Sequence, residues 1–211
     1  MNRPAALLPL SLCLLALVSC CRPSAGPAAF EPGEGWIPLF NGRDLGGWKL
    51  VGRYPADWHV DDGVYHTPTA SDNIYTERTF LNFQLHVEFR IAKDGNSGIF
   101  LRGRKEVQIY DSHGNPKPDD TECGAIFQKV APSTNACKPA GQWQSYDITI
   151  VGERITVVLN GVTVVDGAVV KGVTGGQLDE RVGTPGPLML QGDEAPVAFR
   201  NLWLKPLPDS T

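Results

Sequence analysis

No segment of the 211-residue chain keeps a 3.6-residue apolar period for longer than about two turns. That absence argues against helical architectures. Positive charge is also short, with 19 Lys and Arg against 23 Asp and Glu and a formal charge of −4. No basic footprint is left for nucleic acid, and a polyanionic partner is excluded. No Cys/His cluster has zinc-site spacing, and His59, His66, His86 and His113 stand apart from one another's ligand range. We therefore expect no bound metal or cofactor. Neither an internal repeat nor a second-domain signal is present. What the chain does have is turn chemistry: 23 Gly and 17 Pro, with 42% apolar and 20% charged residues, as many short strands require.

The N-terminus reads as a targeting segment rather than part of the fold. Arg3 precedes an apolar stretch from Ala5 to Val18, too short to span a membrane comfortably as a mature helix. Leu17-Val-Ser-Cys20 resembles a bacterial lipobox, so we expect a signal peptide over 1–19 and lipidation of Cys20. The alternative is an ordinary secretory signal cut near Ala25 or Ala28. No Asp follows Cys20, which favours an outer-membrane lipoprotein in the cell envelope, facing the periplasm or surface. Residues 20–34 form a Pro/Gly/Ala tether. Removal of 1–19 takes away Arg3 alone and shifts the charge from −4 to −5. An exported compartment permits a Cys123–Cys137 disulfide, which we expect over two separate thiols. Neither cysteine has the surroundings of a reactive thiolate.

From Trp36 onward the pattern is that of strands. Trp58-His-Val, Asp61-Asp-Gly63 and Val64-Tyr-His66 spell a hairpin, and Val157–Leu159, Asn160-Gly161 and Val162–Val165 a second. Phe83 to Ile91 alternates cleanly, with Phe83, Leu85, Val87, Phe89 and Ile91 on one face. Further strands are predicted at 98–102, 106–111, 124–128, 144–151 and 196–204. Many strands, tight turns and little helix predict a two-sheet sandwich or jelly roll.

The segment Glu106-Val-Gln-Ile-Tyr-Asp111 carries the functional signal. Glu106, Gln108 and Tyr110 share one face of a strand, and one β-bulge would bring Asp111 onto it. Two carboxylates flanking an amide suit sugar recognition or acid/base work at a glycosidic centre. The spacing resembles the Glu-x-Asp-x-x-Glu strand of jelly-roll β-glucanases, with Gln in the middle and Asp last. The bland alternative is a pair of solvated carboxylates on an exposed sheet face.

An ordered set of motifs resembles the exported 3-keto-disaccharide hydrolase domain family. The set comprises Gly35-Trp-Ile-Pro-Leu-Phe-Asn-Gly-Arg-Asp-Leu-Gly-Gly-Trp48, Trp58–Gly63, Phe83–Arg90, Asn96–Arg102, Glu106–Asp111, Pro139–Trp143, Leu159–Gly161, Leu190-Gln191 and Phe199–Asn201. It covers most of a single domain at 35–207. The resemblance implies an all-β, antiparallel jelly-roll sandwich of the concanavalin A-like lectin/glucanase type, and hydrolysis of glycosides whose sugar carries a C3 ketone. Glu194 stands where members of the family carry His.

Glu106 and Asp111 are the candidate base and acid. Gln108 and Arg102 are candidates for holding hydroxyls or a developing oxyanion. Glu88, Arg90, Asn96, Trp143 and Gln191 are further substrate-binding candidates. Glu88 and Arg90 would otherwise simply screen each other, and Trp143 and Trp58 either stack on a pyranose or close the core. The oxygen-rich loop Asp111–Asp120 is the place where structural calcium would bind, against a plain solvated loop. A carbohydrate partner is expected, with membrane contact through the lipid alone. The rival to the enzyme is a non-catalytic carbohydrate-binding module using the same face.

Overall fold

A computed structural model describes residues 30–52, 55–192 and 196–209. The lipobox, Cys20, most of the tether and Glu194 lie outside the described residues. The chain from Pro32 onward forms one compact unit. It holds thirteen strands, and the described residues include no helix. In chain order they are β1 (Ile37–Pro38), β2 (Trp48–Val51), β3 (His59–Asp61), β4 (Val64–Thr67), β5 (Asn73–Thr76), β6 (Phe83–Ile91) and β7 (Asn96–Leu101). There follow β8 (Lys105–Tyr110), β9 (Gln144–Val151), β10 (Arg154–Leu159), β11 (Val162–Val169), β12 (Met189–Leu190) and β13 (Val197–Pro206).

The strands form two antiparallel sheets. The larger runs β11-β10-β9-β6-β13-β4-β3, with β1 also paired to β13, and the smaller runs β2-β5-β12-β7-β8. The turn residues explain the tight connections. Asp62 and Gly63 both take positive φ between β3 and β4, as do Asn160 and Gly161 between β10 and β11. A two-residue turn needs that backbone to match strand twist, and Asp-Gly and Asn-Gly tolerate it. The predicted strand at 124–128 is not one. Residues 121–129 are a chain of turns touching β8 through a single bridge, Val107 to Ile126.

Alternation on each strand turns one set of side chains inward. Phe83, Leu85, Val87, Phe89 and Ile91 of β6 meet Tyr146, Ile148 and Ile150 of β9 and Phe199 and Leu204 of β13. Across from them lie Ile74, Ile99, Leu101, Val107, Ile109, Leu188 and Leu190 of the smaller sheet. Phe89 is fully buried and stacks on Tyr146 with ring centroids 4.7 Å apart. The N-terminal motif has a structural task. The Tyr65 hydroxyl accepts from the Asn41 and Gly42 amides while the Phe40 ring stacks on its own, at 3.5 Å between centroids.

Phe89→Ala should cost about 3–5 kcal/mol through lost burial and the cavity left behind. A denaturant titration that returns an unchanged midpoint would place Phe89 outside the core.

Candidate functional site

The smaller sheet presents its outer face as a continuous surface. Register pairs Asn96 with Tyr110, Gly98 with Gln108 and Phe100 with Glu106 across β7 and β8. On the other side of β7, Met189 pairs with Phe100 and Leu190 with Ile99, and the Gln191 amide donates to the Gly98 carbonyl at 2.9 Å. Since Ile99, Leu190, Val107 and Ile109 point into the core, their neighbours Gly98, Gln191, Glu106 and Gln108 point out.

Gly98 is the floor of this surface. A Cβ built there would lie 2.2 Å from Glu106 Oε1 and 2.9 Å from its Cδ. The Glu106 carboxyl therefore leans from β8 across the backbone of β7, and no other residue type leaves room for it. Glu106 is buried, at 4% exposure. Its amide donates to Thr174 Oγ1 (2.9 Å), and its carbonyl accepts from the Phe127 amide (3.1 Å). Gln108 is equally enclosed, and its Nε2 donates to Asn96 Oδ1 at 3.1 Å. Its backbone is held on both sides. Its amide donates to the Ala125 carbonyl at 3.0 Å, and its carbonyl accepts from the Gly124 amide at 3.0 Å and the Tyr146 hydroxyl at 2.5 Å. The Oε1 atoms of Gln108 and Gln191 are buried and have no hydrogen-bond partner. An unpaired buried acceptor costs about 1–3 kcal/mol, so each such atom needs an explanation.

The segment between β11 and β12 packs against this site. Its Thr174 and Leu178 amides donate to the Arg104 and Gly103 carbonyls at 3.0 and 2.8 Å. The buried Arg104 guanidinium reaches Asp179 through Nε (2.5 Å) and Nη2 (3.2 Å), and the Thr184 carbonyl through Nη1 (3.0 Å). Hydrogen bonds from Arg104 and Arg181 hold the Asp179 carboxyl well below the usual carboxylate range. The Lys105 ammonium, also buried, donates to the Val170 and Gly172 carbonyls. Burial pulls its pKa down.

Five expected site residues are elsewhere. The pairing of β7 with β8 runs without a bulge from Asn96–Tyr110 to Leu101–Lys105, so Asp111 does not join the face of Glu106. Its Oδ2 accepts from the Asp94 amide (3.0 Å) and its own amide donates to the Gly95 carbonyl (3.1 Å), which closes the β6–β7 turn. Arg102 lies in the β7–β8 turn with φ of 57°. Its buried guanidinium donates to the Leu81 carbonyl (2.5 Å) and Asn82 Oδ1 (3.3 Å) and braces the chain ahead of β6. Glu88, Arg90 and Trp143 sit on the outer face of the larger sheet, because β6 and β9 belong to it. There Glu88 accepts from Arg200 Nε (2.6 Å) and Asn201 Nδ2 (2.9 Å). The Arg200 and Arg90 guanidiniums stack on the Trp143 ring at 4.0 and 5.0 Å. An open depression of about 560 Å³ on that face is lined in part by Asp61, His66 and Arg90. It lacks the buried, unpaired acceptors of the Gly98 surface, and we place the chemistry at the latter.

Asn96, Glu106, Gln108 and Gln191 are thus the expected residues that converge. Sequence reasoning took Asn96-Ser-Gly98 as a turn and missed Gly98 as the floor. A lone Gly inside an alternating run is the signal for close approach. Thr174 carried no local signal. Cys123 and Cys137 are two thiols in hydrogen-bond contact rather than a disulfide. Cys123 Sγ also lies 3.1 Å from the Tyr146 hydroxyl, so hydrogen bonding already satisfies it. Trp58 is core, its Nε1 donating to the Asp72 carbonyl at 2.6 Å. In the Asp111–Asp120 loop, Asp119 accepts from Thr121 and Asn115 from the Lys117 amide. Among the described residues no three His, Cys, Asp or Glu side chains group as metal ligands.

Asp111→Asn should keep turnover within a few-fold of the parent, because the amide oxygen still accepts from Asp94. Steady-state kinetics showing a loss beyond about 100-fold, the range of a lost proton-transfer group, would return Asp111 to the chemistry.

A family model described as the 3-keto-alpha-glucoside-1,2-lyase-like domain matches residues 35–205. A 3-keto-disaccharide hydrolase of Bacteroides thetaiotaomicron is 23% identical over 154 residues, which are 56% of this chain and 53% of that protein. The chain thus matches about half the length of that curated relative. A crystal structure of a candidate glycosyl hydrolase from Parabacteroides distasonis superposes with a TM-score of 0.69 at 33% identity, over 82% of this chain and 84% of that one. A Bacillus subtilis carbohydrate-binding module, 16% identical with a TM-score of 0.53 over 77% and 98% of the two chains, shares the concanavalin A-like jelly-roll fold.

Proposed function

The chain belongs to the family of 3-keto-alpha-glucoside-1,2-lyase-like domains, and from that premise we propose that it cleaves 3-keto-glycosides on the outer face of the smaller sheet, with Glu106 moving the proton. The observation that carries this reading is the buried Glu106 carboxyl leaning over Gly98. A ketone at C3 acidifies the C2 hydrogen. Loss of that proton to Glu106 gives an enolate, whose collapse breaks the C1–O bond and leaves a C1–C2 double bond. The expelled oxygen takes up a proton, and water adding across the double bond completes a net hydrolysis. Among the described strand residues on this face, Glu106 is the one carboxylate. Direct displacement uses a pair of carboxylates, whereas elimination begins with one base, so the face favours elimination. Glu106→Gln in the full chain should lower turnover of 3-keto-trehalose by about 10²–10⁴-fold, with its unfolding midpoint preserved. Release of sugar from unoxidised trehalose at the same rate would overturn the C3 route. Saturable sugar binding without turnover would leave a carbohydrate-binding module.

The Leu17–Cys20 pattern supports export and attachment to the envelope through a lipid on Cys20. Cells fed a labelled fatty acid should mark the parent chain and not Cys20→Ser. Equal labelling, or none in either, would remove the anchor.

A further inference from the structure

We propose that Gln108 and Gln191 form a paired acceptor subsite, which selects sugars offering a free hydroxyl to each side of Gly98. The inference rests on the reading of this face as the 3-keto-glycoside site and adds what it demands of the sugar. Gly98 lies opposite Gln108 on one side and bonds to the Gln191 amide on the other. The two glutamines therefore stand two strand spacings apart, about 9–10 Å between their backbones. That width accommodates a hydroxylated six-membered ring lying over Gly98, with the Glu106 carboxyl beneath it.

Both carboxamide oxygens are buried acceptors without a donor. In Gln108 the other end of the amide is committed, because Nε2 donates to Asn96, which turns Oε1 toward the remaining space. Neither backbone can shift to relieve the vacancy. Ala125, Gly124 and Tyr146 hold Gln108, as described above. The Gln191 carbonyl accepts from Ser97 Oγ at 2.8 Å, and the next amide, of Gly192, donates to Asn73 Oδ1 at 2.9 Å. Two rigidly placed acceptors, each lacking a donor, are complementary to a ligand that supplies two O–H donors, and sugar hydroxyls are such donors. A site built to receive a hydroxyl rejects the analogue lacking it far more strongly than an apolar pocket rejects an extra group.

The test is a cycle between residue and substrate in the full chain. Turnover of an aryl 3-keto-glucoside is compared with its 2-, 4- and 6-deoxy forms, for the parent chain, Gln108→Met and Gln191→Met. The expected result is that one deoxy position per glutamine lowers parent kcat/KM by at least tenfold, while the matching Met variant distinguishes that pair by less than threefold. Losses that multiply independently for every pairing would overturn the subsite. Gln191→Met should also hold or raise the unfolding midpoint, since it removes an unsatisfied acceptor and keeps the volume. A lowered midpoint would mark Gln191 as structural. If 3-keto-glycosides are not turned over at all, the functional reading fails, and the same cycle is read by calorimetry on glucosides and their deoxy forms. Coupling in Kd then sustains the subsite by itself. Equal Kd values, or no binding, overturn it.

Discussion

The in-register pairing of β7 with β8 is the constraint on which the site depends. Side chains in a strand alternate, so a slip by one residue would move Ile99, Leu101, Val107 and Ile109 out of the core and put Gly98, Glu106 and Gln108 inside. Burial of those four side chains is worth on the order of 6–12 kcal/mol in sum. That rivals the whole stability of an ordinary domain. The apolar set fixes the register, and the polar set inherits its place. Gly98 then converts register into geometry. Without a Cβ, the Glu106 carboxyl lies across the neighbouring strand instead of standing beside it.

A second layer of order comes from polar side chains buried behind the site. The Arg104 guanidinium and the Lys105 ammonium are both enclosed, and each spends its hydrogen bonds on the segment between β11 and β12. Buried charges of this kind do not add to stability the way apolar contact does. They are expensive to leave unpaired, and so they penalise any arrangement that pulls the segment away. The same segment supplies Thr174, which receives the Glu106 amide. The free edge of β8 is closed by residues 124–127 through the bonds to Glu106 and Gln108. Functional side chains thus sit on backbone that is bonded on every side, the preorganisation proton transfer at a weakly acidic carbon requires.

The two outer faces of the sandwich use polar residues differently. On the larger sheet, Glu88, Arg200, Asn201, Arg90 and Trp143 satisfy one another by ion pairing, hydrogen bonding and stacking. On the smaller sheet, Gln108 and Gln191 are held in place with acceptors unspent. A surface that completes its own bonds is structural in character, whereas one that keeps buried acceptors open is suited to a ligand.

Much of this was legible in the chain itself. Period-two alternation in Phe83–Ile91 and in Glu106–Tyr110, with Asp-Gly and Asn-Gly turns, specified strands, hairpins and the inward and outward sets. These are local properties of backbone and side chain. The family motifs located the domain, and Glu106 and Gln108 were recognisable as partners on one face. Which sheet each strand joins was decided only by tertiary pairing. Glu88 and Arg90 alternate as cleanly as Glu106 and Gln108, yet β6 pairs with β9 and β13 while β8 pairs with β7. Nor could the chain announce that Asp111 would be taken by the turn at Asp94, Arg102 by the carbonyl of Leu81, or Glu106 by the space above Gly98. Those outcomes depend on contacts between segments distant in sequence. Alternation says which side of a strand a residue occupies, and only strand order says what that side faces.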